Sequence, residues 1–146
     1  MPSARDRNAF QASHRSHATP ASRTMVNISA LVAMIADTLA ELAAKIVLTL
    51  HSDEAIGLHR LMITEAHSFP DLAKRFYRDG PQAYITALNE RLPEPDTAQA
   101  QALFTLLLGE PHRQRLLGLR AAPSRATAAA HARAALAQLS LTEVIG

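Results

Sequence analysis

The sequence predicts an all-α protein, a helical bundle of about six helices. Three observations carry this. Apolar residues recur at three- and four-residue steps over long stretches, the mark of amphipathic helices. Ala and Leu abound while Gly numbers only 5, a balance that favours helix over sheet. No segment shows the alternation of a half-buried strand, and no internal repeat is visible.

The 146 residues suffice for one domain with a core of its own, and at 48% hydrophobic the chain is not a disordered one. Aromatics are 4% and Trp is absent, which argues against a surface for stacking nucleic-acid bases. There is no Cys, so disulfides, thiolate metal sites and cysteine nucleophiles are excluded. That composition fits a reducing compartment, and a cytoplasmic protein is expected.

Residues 1–24 hold four Arg (Arg5, Arg7, Arg15, Arg23) and one acid, Asp6, which leaves 11 basic against 12 acidic residues for the rest. The first segment is read as a disordered basic tail and residues 25–146 as the helical domain. Because the positive charge sits in the tail, the folded part is no polyanion binder. The tail has no apolar core for a secretory signal, although its Arg- and Ser-rich composition also resembles a transit peptide.

The first helix is expected over about 25–51, with Ile28, Leu31, Val32, Ile35, Leu39, Leu42, Ile46 and Leu50 on one stripe. It would be about 40 Å long. Asp37, Glu41 and Lys45 form a charged stripe that argues against a membrane span. The second is expected over 53–67, capped by Ser52, with Asp53 and Glu54 at the positive end of the helix dipole. Its wheel places Ala55, Leu58, Leu61, Met62, Ala66 and Phe69 on one arc, with Glu65 and His59 inside it.

Ser68-Phe69-Pro70-Asp71 reads as a restart, with Ser68 as cap. A short helix follows over 70–79, with Leu72, Ala73, Phe76 and Tyr77 inward. Gly80 is expected to stop it and Pro81 to begin another, over 81–92, offering Tyr84, Ile85, Leu88 and Leu92. Pro93 and Pro95 stiffen a connector, and Asp96 caps a long helix over 97–119. That helix presents Ala100, Leu103, Phe104, Leu107 and Leu108 but should kink at Gly109 and Pro111. The last helix, 124–140, lines one side with Ala128, Ala132, Ala135 and Leu139.

Catalytic chemistry finds no footing. The Glu-x-x-His spacing of bundle metal sites is missing, and Glu65 and His67 stand two apart, on different sides of a helix. There is no Gly-rich phosphate loop and no Gly-x-Ser-x-Gly. No enzyme, metal or cofactor is expected. His51, His112 and His131 are read as surface or helix-end residues, and His59 as a core or interface histidine. Glu65 has two readings: a structural acid paired with Arg60, Arg75 or Arg78, or a polar anchor in an apolar pocket.

The block "LHRLMITEAHSFPDLAKRFYRDGP", residues 58–81, resembles the start of the C-terminal domain of TetR/AcrR-type transcriptional regulators. Arg60, Leu61, Ile63, Glu65 and Ala66 match its first motif. Phe69, Pro70, Leu72 and Ala73 match the next, and Phe76, Tyr77, Gly80 and Pro81 the third. "FTLLLGEPHRQRLLGL" (104–119) resembles the penultimate helix of that domain and the Ala-rich end its last.

The resemblance implies an all-α effector-binding and dimerisation domain, a homodimer paired through its last two helices. The seam would draw on Leu103, Leu107, Leu116, Ala128, Ala132, Ala135 and Leu139. A small apolar or amphipathic effector would meet Met62, Glu65, Phe69, Phe76, Tyr77 and Tyr84. The family also carries an N-terminal helix-turn-helix of about fifty residues. The 24-residue tail is too short and too polar for that unit, so specific DNA binding by this chain alone is not expected. A second reading is a truncated module that pairs with a full-length regulator and binds no ligand.

Overall fold

The computed structural model describes residues 38–142. The tail and residues 25–37 of the expected first helix lie outside the described residues. Helix α1 spans Leu39–Leu50. Thr38 ahead of it is extended, and its hydroxyl accepts the Glu41 amide at 3.1 Å. A helix running through Thr38 from residue 25 is therefore corrected. Thr gains more from capping an exposed amide than from a place inside the helix.

Leu42, Ala43 and Ile46 of α1 are fully buried and Val47 nearly so. Their spacing makes α1 the central rod, in contact with four of the helices that follow. Helix α2, Asp53–Glu65, begins at Ser52. The Ser52 hydroxyl donates to the Thr49 carbonyl at 2.7 Å and accepts the Ala55 amide at 3.2 Å, so one side chain closes α1 and opens α2.

The buried arc expected for α2 is narrower than its wheel suggested. Only Ile56 and Met62 are buried, while Leu61 and Phe69 are exposed. The helix touches the bundle along one edge, against α1, α5 and α3, and its other faces meet solvent.

Helix α3 is Pro70–Tyr77. Its cap position is Phe69, which makes no side-chain capping bond, so Ser68 does not cap it. Gly80 does not stop the chain either. Residues Arg78–Gln82 form a π-helical turn that passes straight into α4, Ala83–Glu90. Pro81 has no amide to donate, and the wider turn absorbs the missing bond. Gly80 is buried and keeps a negative φ.

Helix α5 is Thr97–Leu116, capped by Asp96, whose carboxylate accepts the Gln99 amide at 3.2 Å. Gly118, at φ 73°, ends it in a Schellman turn: the Leu119 amide returns to the Gln114 carbonyl at 2.8 Å and the Gly118 amide to Arg115 at 3.0 Å. Helix α6 is Arg125–Gln138, capped by Ser124 on the Thr127 amide at 3.1 Å.

The described residues are all-helical: six α-helices in five rods, because α3, the π-turn and α4 run on as one. None is long and apolar enough to cross a membrane. α6 lies along α1, where Ala128, Ala132 and Ala135 let the two backbones approach. α4 packs on α5, with Tyr84 stacked on Phe104 at 6.3 Å.

Candidate functional site

The site grows from a break in α5. Gly109 leaves helical geometry at φ 62° and ψ −163°, and Pro111 follows inside the same helix. Only glycine adopts that backbone readily. Pro111 has no N–H, so it cannot bond the carbonyl of Leu107, four residues earlier. The Leu106 carbonyl lies in the turn that Gly109 interrupts.

Two histidines serve these carbonyls. His51, at the end of α1, donates from Nε2 to Leu107 O at 2.9 Å. His131 of α6 donates from Nε2 to Leu106 O at 2.8 Å. A carbonyl only accepts, so both Nε2 atoms carry hydrogen. Three helices are thus fastened at one point.

The rings continue inward. His51 meets His131 edge-on at 5.4 Å and His112 at 5.2 Å, and His112 meets His59 at 5.1 Å. His59 in turn lies 5.9 Å from Phe76 of α3. Burial pushes the His112 imidazole down to about 4, and the positive potential of His51, His59 and Arg115 adds to it. Burial also lowers His51; the Leu107 carbonyl opposes that shift, while His131, Arg115 and Arg120 reinforce it. His59 is lowered by burial. Among the described residues no group of three His, Asp or Glu is arranged to hold a metal ion.

Of the three histidines expected at the surface or at helix ends, His51 does end α1, although its ring is buried; His112 is buried inside α5 and His131 half-buried inside α6, so the expectation is corrected for these two. Buried Arg115 was also missed. It donates to His51 O and Arg120 O, both at 2.9 Å, and to Asp53 Oδ1 at 2.6 Å. Arg60 of α2 donates to the carbonyls of Leu116 and Arg115, both at 2.9 Å, covering the C-terminal end of α5. One signal for these partners was present in the sequence: a proline inside a buried helix leaves a carbonyl that something must bond.

The break separates two clefts, and Gly109 lines both. Between α5 and α6 lies an open groove of about 870 Å³, lined by His51, Leu106, Ala130, His131 and Ala134. Between α4 and α5 lies a smaller cleft of about 590 Å³, lined by Tyr77, Ile85, Phe104, Leu108, His112 and Arg113.

Of the effector candidates, Tyr77 lines the α4–α5 cleft. Tyr84 backs its Phe104 wall, and Phe76 reaches it only through His59 and His112. Met62 is buried in α2, Glu65 is half-buried and Phe69 is 55% exposed; none of the three lines either cleft. No ion pair joins Glu65 to Arg60, Arg75 or Arg78. Arg60 is bound to the end of α5 and Arg78 to Asp79.

Of the seam candidates, Leu103, Leu107, Ala128, Ala132 and Ala135 are buried within the subunit's own core, and Ala135 also borders the α5–α6 groove. Leu116 and Leu139 are half-buried. Leu116 lines the α4–α5 cleft.

Comparison with known proteins agrees with this architecture. Residues 37–139 match the family described as AefR-like transcriptional repressor, C-terminal domain. No curated protein and no solved structure matched the chain. With most of its length covered by that match, the chain belongs to the family of AefR-like transcriptional repressor C-terminal domains, a TetR-type group of regulators.

Proposed function

We propose that this chain is the effector-sensing and pairing part of a TetR-type regulator, working in the cytoplasm without a cofactor and without catalysis. The observation that carries this is the division of labour around α5. One helix, broken at Gly109, separates two openings of different character.

The α4–α5 cleft suits a small molecule. Its volume lies in the range of ligand sites, and its lining is mostly apolar with a few polar groups. The α5–α6 groove suits a second copy. It is the larger of the two, and the small side chains of Ala130 and Ala134 admit a neighbouring helix. The pairing surface proposed here is this groove, which Ala135 borders, rather than the face of Ala128 and Ala132 that packs on α1.

Effector and pairing are linked by a population shift: a molecule that binds one setting of α5 better than another shifts the balance between them. The test is a thermal-shift screen of small apolar and amphipathic compounds on the full chain and on Thr105→Trp, which narrows the cleft. Compounds that stabilise the wild type and leave Thr105→Trp unmoved support the effector role. Equal stabilisation of both proteins contradicts it.

A further inference from the structure

We infer that the α4–α5 cleft selects an amphipathic carboxylic acid, with its apolar chain against Ile85, Phe104 and Leu108 and its carboxylate at His112 and Arg113. This rests on the effector role proposed for the cleft and names the chemical class of the effector.

The charge of the lining points that way. It contains one formal cation, Arg113, and one imidazole, His112, and no carboxylate. Arg113 is 72% exposed and bonded to Glu110 at 3.1 Å, a surface pair of the kind that contributes little. Its guanidinium can exchange that partner for a ligand carboxylate, which it suits by its forked geometry.

A second cation, Arg115, is buried close to His112. Asp53, the acid bonded to Arg115, is 88% exposed in its side chain, so solvent screens much of its charge. The charges of Arg113 and Arg115 attract an anion and repel an ammonium. A neutral alcohol gains nothing from them. The opposite wall is apolar and firm, because Phe104 is backed by the stacked ring of Tyr84.

The experiment is calorimetric titration of the full chain at neutral pH and low salt with octanoate, 1-octanol and octylamine. The three share one chain and differ in the head group. Octanoate is expected to bind about tenfold more tightly than octanol or better, a difference of about 1.4 kcal/mol, with octylamine weakest. Arg113→Gln should remove the octanoate preference and leave octanol binding unchanged. Arg133→Gln, an exposed arginine on α6, should change neither.

Octanol binding as tightly as octanoate, or a preference that survives Arg113→Gln, would overturn the acid class and leave the effector role of the cleft standing. Failure of all three compounds to bind would overturn both.

Discussion

His51 donates from Nε2 to the Leu107 carbonyl at 2.9 Å, the same carbonyl that Pro111 leaves without an amide. A side chain from α1 thereby completes the hydrogen bonding of α5 across 56 residues of sequence. His51→Leu should leave that buried carbonyl bare and cost about 2–3 kcal/mol. In a background carrying Gly109→Ala and Pro111→Ala, position 111 regains an amide and the left-handed turn is gone. There the same substitution should cost less than about 1 kcal/mol. Urea unfolding of the four proteins measures the difference, and equal costs in both backgrounds would refute the pairing of His51 with the break.

The histidine chain makes the fold acid-sensitive. His112 is lowered to about 4 in the folded chain from an ordinary 6.5, so the unfolded chain binds protons more readily. Its contribution is intact above about pH 6.5, declines as pH falls below that value and is lost near pH 4. Within that window the slope approaches about 1.4 kcal/mol per pH unit for this one group. His51 and His59 are lowered too and act in the same direction. Denaturation midpoints at a series of pH values should show this decline in the wild type and a shallower one in His112→Phe.

Arg115 and Asp53 form one ion pair from very unequal surroundings. The arginine side chain is 8% exposed and the aspartate 88%. Arg115→Leu strips the donors from His51 O and Arg120 O and should cost about 3 kcal/mol. Asp53→Asn should cost less than about 1 kcal/mol, because its charge stands in solvent. Losses of similar size in the two variants would contradict this reading of the hub.

Ser140 is the one non-glycine residue with positive φ among the described residues, at 56°. It occupies the position after α6 that Gly118 occupies after α5. The Leu141 amide returns to the Leu136 carbonyl at 2.8 Å and the Ser140 amide to Ala137 at 3.1 Å. Ser140→Gly should relieve the left-handed strain and raise stability by about 0.5–1 kcal/mol, read as a higher melting temperature. Gly118→Ala should do the reverse.

Local chemistry was legible in the sequence. Ser52 and Asp96 each bond an amide three residues on, a relation that depends on a few adjacent residues only. The break at Gly109 and Pro111 was legible for the same reason. Gly80-Pro81 obeyed the local rule for a helix end and yet continues, since packing of α3 and α4 holds the chain helical through a π-turn. The histidine chain lay out of reach, because its members come from four helices and nothing in their own neighbours says that the rings meet. Burial of Leu103, Leu107 and the α6 alanines was predicted as an apolar stripe, but the helix wheel does not say which neighbour covers it. Here α1 does.

The most direct test of the proposed pairing is sedimentation velocity of the full chain at micromolar concentration, beside Ala134→Glu. Ala134 lines the α5–α6 groove and is exposed, so a charge there leaves the subunit's core untouched. The groove predicts a two-chain species for the wild type and a single-chain species for the variant. A wild type that sediments as one chain, or a variant that pairs as well as the wild type, would contradict it.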